Sequence, residues 1–535
     1  MSRILYYNGD FITLEKEMPQ ANYVMTVDGI ITEMGLGRPP EELDFDAVVD
    51  LGGKPVVPGF IDSHLHMLTG ALTKLQIDLN NRRFRDVVHM AEFVGERAAE
   101  GKGWIRAYGF TEDNLMNPGI PTRAELDQAI PDRPVIITRV CGHLSIVNSA
   151  ALEKLDALKM ATIVGGEFKK GSDGKYNGIV TEAAQQYVLD NIPAPDTEEI
   201  FFRLQGEQRH LLSKGICSIH DAGTDQLLPR DYVEIYKEFN KAGKLALRTY
   251  LMMRPDDNED FAAFAEQVKE LKKQYDPAKS RLFFGAVKLF ADGSLGGRTA
   301  AVRKGYVDEP ENKGLLLSER LDRYVEKVHK AGLPVAVHAI GDRAVEYCLD
   351  LIEKSQADAP AEIMHRIEHA EYLESDLIER LKKCGAYIAA QPGFIREFGN
   401  TYRKVIGDEA EKIQPLKTLL KEGITFGFGT DYPVIDADPI KGIAAAVFRR
   451  VKGSPDPLNA EEALTVEEAI KAYTLDSAKG AGTDHLQGSL KRGKFADFTV
   501  LDRDIRLSAS ADEMEETQII ATVVGGELLY QKKEA

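Results

Sequence analysis

The sequence predicts an α/β fold: a closed (β/α)8 barrel of the TIM type, an inserted subdomain between its first two strands, and a small β-sandwich domain built from both termini. Three observations carry this expectation. Eight nearly apolar, strand-like runs punctuate the middle of the chain, helical patterns separate most of them, and strand-and-hairpin signals occupy both ends.

Near the N-terminus, NYVMTVDGIITEMG (22–35) alternates apolar residues about Asp28-Gly29, a strong hairpin signal. ATVVGGELLYQ (521–531) does the same about Gly525-Gly526, and GKFADFTVLD (493–502) reads as a further strand. Neither end has enough strands to bury a sheet alone, so residues 1–56 and 487–535 are expected to pack as one domain.

Residues 57–486 then form the barrel. Its strands are expected at VVPGFID (56–62), GICSIHD (215–221), LALRTYLM (245–252), FFGAVKLF (283–290), LPVAVHA (333–339), HRIEHA (365–370), GAYIAAQ (385–391) and ITFGFGTD (424–431). Near-continuous apolar character is what strands covered on both faces require. LDRYVEKVHKAG (321–332) shows the intervening helical pattern, with Gly332 in the stop position. The first two runs are about 150 residues apart, far more than a βα unit needs. That interval has its own strand-like runs, WIRAYGF (104–110) and RPVIITRV (133–140), so a subdomain over about 70–210 is expected there, above the top of the barrel. Trp104, Tyr108 and Phe110 read as one strand face of its core.

Composition narrows the partners. A chain of 535 residues with net charge −18 repels nucleic acid and anionic membrane, so neither is expected to bind. Cys141, Cys217, Cys348 and Cys384 are far apart with no C-x-x-C, which argues for reduced thiols and against a disulfide framework or a thiolate zinc site. The N-terminal stretch lacks an apolar signal core, and no run reaches the roughly 18 apolar residues of a membrane helix. The expected location is the cytoplasm.

The polar residues at the strand ends carry the chemistry. His64 and His66 follow the first run, Lys288 lies near the end of the fourth, His338 ends the fifth, His369 the sixth and Asp431 the eighth. In a barrel these ends meet at one face. Four imidazoles and a carboxylate suit a divalent transition metal, most often zinc. In H-x-H on a strand both rings point the same way, so His64 and His66 can grip one ion. Taken singly, each residue has a structural reading: a hydrogen-bonded strand-end histidine, a salt-bridged lysine, a turn aspartate. It is the coincidence at strands one, five, six and eight that argues for a site.

PGFIDSHLH (58–66) resembles the first-strand signature of the amidohydrolase superfamily, and VAVHAIGDRAV (335–345), HRIEHAE (365–371) and GFGTDYPV (427–434) resemble its later ones. PTRAELDQAIPDRPVIITRVCGHLSIVNSAAL (121–152) and VKLFADGSLGGRTA (287–300) are similar to blocks of its amidohydrolase 3 branch, which includes N-substituted formamide deformylases. The resemblance implies that His64 and His66 bind one metal with Asp431, that His338 and His369 bind a second, and that Lys288, as N6-carboxylysine, bridges two zinc ions. It further implies a small-molecule substrate, whose non-peptide C–N bond of amide or formamide type is cleaved by a metal-activated water, with Asp431 as proton shuttle. For assembly it allows a homodimer.

His143 in the insert, His220 at the second strand end, Asp292 and Arg298 are further substrate-binding candidates. The competing role for each is structural or, for His220, orientation of a ligand. Glu368 precedes a ligand in its strand and, by alternation, is expected to point away from the metals and to be structural. Two other readings of the whole chain stand beside this one. A mononuclear deaminase or cyclic-amide hydrolase would leave Lys288 without a bridging role. A non-catalytic scaffold is disfavoured, because every expected ligand position is filled.

Overall fold

Eight parallel strands follow one another in chain order around a single sheet. They are β1 (Phe60–Leu65), β2 (Ile216–Asp221), β3 (Arg248–Met253), β4 (Leu282–Phe290), β5 (Val335–Ala339), β6 (Arg366–His369), β7 (Tyr387–Ala390) and β8 (Phe426–Phe428). All residues of β1, β2, β3, β6, β7 and β8 are buried, as a sheet covered on both faces demands. The barrel is nearly closed. Beyond the strand ends, Asp431 N donates to His64 O (2.7 Å) and His66 N donates to Tyr432 O (2.8 Å), stitching the β1 side to the β8 side. The computed structural model describes residues 2–39, 44–74, 76–80, 82–98, 103–117, 119–139, 144–193, 195–223, 231–255 and 260–533. No helix among them is long and apolar enough to cross a membrane.

Helices alternate with the strands. The helix Ser318–Lys330 buries Leu321, Tyr324, Val325 and Val328, and the chain leaves it through Gly332 at φ 75°, a conformation glycine adopts without a Cβ penalty.

β1 begins later than the apolar run suggests. Residues Ala47–Pro58 belong instead to a seven-stranded sheet made from both ends of the chain. Ala47–Pro58 lies parallel to Arg3–Ile12 on one side and antiparallel to Phe498–Leu501 on the other. The switch between sheets falls at Gly59, where a Cβ would stand 2.3 Å from Cys217 Sγ of β2. Only glycine lets the strands approach so closely, and Pro58 before it ends the first ladder. The hairpin turns expected at Asp28-Gly29 and Gly525-Gly526 are present, with all four residues at positive φ.

Residues 69–203 form a separate compact unit with a six-stranded sheet of its own. Its strands include Ile105–Phe110 and Val135–Arg139, which pair in parallel. Trp104, Tyr108 and Phe110 do not share one buried face. Gly109 sits at φ 92° beside a register shift that turns Phe110 into the core, while Tyr108 is exposed and Trp104 half-buried.

Candidate metal centre

His64, inside β1, is fully buried, and His66 follows the strand end. Nδ1 of His64 donates to Glu368 Oε2 at 2.5 Å. Burial alone would raise the Glu368 pKa, but the charge of Arg366 and the bond from His64 outweigh it and hold this carboxylate well below its usual range. Nδ1 of His66 donates to the carbonyl of Gly223 at 2.5 Å. A carbonyl accepts only, so the proton of His66 is on Nδ1. In the neutral ring this leaves Nε2 as the lone pair, and both Nε2 atoms face Asp431 Oδ1, at 3.4 Å from His64 and 3.3 Å from His66.

The other two histidines are fixed in the same manner. Nδ1 of His369 donates to Gln391 Oε1 (2.8 Å), whose amide is oriented by donating Nε2–H to Ala389 O (2.8 Å). Nε2 of His338 donates to Gly293 O (3.0 Å), leaving Nδ1 as its lone pair. Burial first, then neighbouring positive charge, lowers His338 to about 4 and His369 well below the ordinary imidazole value, so both rings are neutral. The ring centroids of His338 and His369 are 4.4 Å apart, and those of His64 and His369 are 4.8 Å apart.

Lys288 of β4 is 1% exposed, with Nζ 3.4 Å from His64 Nε2. Burial lowers its pKa to about 8 against the opposing pull of Glu368 and Asp431. An amine in this state is nucleophilic near neutrality.

This donor set fits a divalent cation. Beside the His64, His66 and Asp431 group stand the His369 ring, in contact with His64, and the His338 ring, in contact with His369. Ligand atoms of His64, His66 and Asp431 all lie within 4.8 Å of each other. The partners that fix the imidazole protons are the kind that orient metal-binding histidines. His369 and Asp431 also sit at positive φ, 74° and 56°, backbone strain of the sort concentrated at functional sites.

Several supporting residues are absent from the sequence reading. Arg366 donates through Nε to Glu368 Oε1 (2.8 Å), through Nη2 to Ser63 O (2.8 Å) and through Nη1 to His220 Nδ1 (3.0 Å). Asp62 accepts from Thr430 Oγ1 (2.5 Å), Thr430 N (3.1 Å) and His64 N (3.1 Å), tying the β1 side to the β8 side. Burial raises Asp62 to about 7 despite these bonds. Glu368 lies on the edge of His64 away from Asp431, in a supporting role. Strand alternation sends Glu368 and His369 to opposite sides, but positive φ at His369 and Ala370 breaks the alternation, and Glu368 supports His64 from beneath. The signal was available in R-x-E, which puts Arg366 and Glu368 on one strand face.

The structure does not gather the remaining candidates at the metal ligands in the same way. His220 is fully buried against Arg366, with Nε2 unpartnered. Asp292 accepts from the backbone N–H groups of Ile340, Gly341 and Ala301, and its Oδ1 is 3.6 Å from His338 Nε2. Arg298 is engaged with Asp308 in its own loop. His143 lies outside the described residues.

Comparison with known proteins agrees with this geometry. The profile of the amidohydrolase family matches residues 47–530. The protein YtcJ of Bacillus subtilis (strain 168) is 31% identical over 549 residues, covering 99% of this chain and all of its own. An N-substituted formamide deformylase from Arthrobacter pascens is 26% identical, covering 91% of this chain and 90% of its own. A crystal structure of an uncharacterized metal-dependent hydrolase from Pyrococcus horikoshii OT3 superposes with a TM-score of 0.77 at 28% identity, covering 96% of this chain and 99% of that one.

Proposed function

The chain belongs to the amidohydrolase family and is a hydrolase acting on carbon–nitrogen bonds, and from that premise we propose that it cleaves a non-peptide amide or formamide bond of a small molecule. The observation that carries the reading is the grouping of His64, His66 and Asp431, whose ligand atoms lie within 4.8 Å of one another, with Lys288 Nζ 3.4 Å from His64 Nε2 and the His369 and His338 rings alongside. His64, His66 and Asp431 would hold one zinc ion and His338 and His369 a second, with Lys288 bridging them as N6-carboxylysine. Bound there, the metal supplies Lewis acidity, polarising a substrate carbonyl and making water acidic enough to react near neutral pH.

The protein's own groups do the rest. Glu368, Gly223, Gln391 and Gly293 hold the four rings in fixed tautomers, so no ring must reorganise during turnover. An Asp431 carboxylate oxygen takes the proton of the attacking water and returns it to the leaving nitrogen. Burial of Lys288, with its lowered pKa, favours the free amine that carbon dioxide requires. A cytoplasmic location accords with the free thiols of Cys217, Cys348 and Cys384.

The formamide reading draws on the likeness to the Arthrobacter pascens deformylase. The test is release of a primary amine from N-benzylformamide and N-acetylbenzylamine by zinc-loaded protein. Ammonia release from amino-purines or amino-pyrimidines, with no amine from either amide, would move the assignment to a deaminase.

A further inference from the structure

A cavity of about 780 Å3 opens within the 69–203 unit. In a chain of net charge −18 its lining is unexpectedly basic: five cationic side chains, those of Lys74, Arg97, Arg106, Arg133 and Arg203, against two acids, Asp196 and Glu199. One of the two acids is paired with a lining arginine, and the other caps a helix start. Asp196 Oδ1 accepts from Glu199 N (2.8 Å), and Glu199 lies 3.6 Å from Arg203. Arg133 gives its N–H groups to the carbonyls of Gly103 and Ala98, and Arg97 lies over Phe93. These contacts fix position without neutralising charge. Among the described residues, Arg97, Arg106 and Arg133 have no carboxylate partner.

Arg106 is the most telling of them. It lies in the strand Ile105–Phe110, in register with Ile136, which is 1% exposed and part of the apolar core on that sheet face. At such a position a side chain is ordinarily apolar or paired, and a half-buried guanidinium without a partner is costly. Burial lowers the Arg106 pKa, and no carboxylate pairs with it among the described residues. Trp104 is two residues earlier, about 7 Å along the chain, and packs against the same core. It also lines the cavity.

We propose that this cavity binds a small aromatic carboxylate, with the Arg106 guanidinium taking the carboxylate and Trp104 the ring. The guanidinium fork matches a carboxylate in two parallel hydrogen bonds. The cavity volume is in the range of small-molecule sites. The site is separate in residues from the metal centre and does not depend on the reaction assigned there.

Trp104 is the sole tryptophan of the chain, so its fluorescence reports on this cavity alone. Full-length, zinc-loaded protein is titrated with 3-phenylpropionate, with 3-phenylpropanol and with inorganic phosphate. The expected result is a saturable change with 3-phenylpropionate, weakened at least tenfold in Arg106→Gln, and no saturable change with the alcohol or phosphate. The melting temperature of Arg106→Gln is expected to match or exceed wild type, because no native bond is lost. Arg106→Lys, which keeps the charge but not the fork, is expected to bind severalfold more weakly and serves if the Gln variant does not fold. Saturation by phosphate instead, unchanged affinity in the Arg106 variants, or absence of any saturable response would each overturn the proposal.

Discussion

The carboxylate of Glu368 stands 2.5 Å from Nδ1 of His64, on the opposite edge of the ring from the nitrogen that faces Asp431. A buried anion, itself clamped by Arg366, thus fixes the proton and the aim of a candidate metal ligand. Glu368→Gln is expected to lower metal affinity about 10- to 100-fold, measured by competition with a chelator. It also leaves Arg366 without its counter-charge, at a cost of about 3 kcal/mol in urea denaturation. Unchanged chelator competition would show that the bond has no bearing on metal binding.

Lys288 is the residue on which a two-metal site depends. Elemental analysis of protein made without chelator is expected to find two ions per chain in the wild type and one or none in Lys288→Ala. One ion in both proteins would discard the bridge and favour the mononuclear reading.

Asp431 is assigned both metal binding and proton transfer. In Asp431→Asn the amide can still coordinate through oxygen but cannot take the proton. Turnover is expected to fall about a hundred- to ten-thousand-fold. Full turnover with metal bound would remove the shuttle role.

A second histidine pair gives the fold a pH dependence. Val335 N donates to His365 Nδ1 (3.1 Å), His365 Nε2 to His329 Nδ1 (2.9 Å), and His329 Nε2 to Ala359 O (2.7 Å). Burial, then the neighbouring His329, lowers His365 from 6.5 to about 4. Between those values the unfolded imidazole binds a proton that the folded one does not. Stability from this group is therefore complete above pH 6.5 and lost as pH falls toward 4, by up to about 3 kcal/mol. Urea midpoints are expected to drop between about pH 7 and pH 5, and to drop less in His365→Gln. Equal drops in the two proteins would exonerate His365.

The barrel strands were legible because both faces of each are buried, and uniform burial writes itself as an apolar run. The six candidate metal ligands stood out in the sequence for a complementary reason: a polar ligand type at the end of such a run is conspicuous. What was hidden depended on backbone geometry. The role of Glu368 turns on positive φ at His369, and the late start of β1 turns on the close approach at Gly59. Asp62 lies within the first apolar run, yet its partner Thr430 is 368 positions away, a pairing that no local pattern discloses.

Gly59 alone separates the strand Ala47–Pro58 from β1, and that strand pairs with Phe498–Leu501. During synthesis, residues 47–58 emerge about 440 residues before their partner. At about 5–20 residues per second the wait is tens of seconds. For that time the segment leading to His64 has an unpaired edge, and chaperone capacity rather than intrinsic stability would govern the yield of folded enzyme. Truncation within the last 40 or so residues is thus expected to strike the metal centre through its first strand, although none of the removed residues is a ligand.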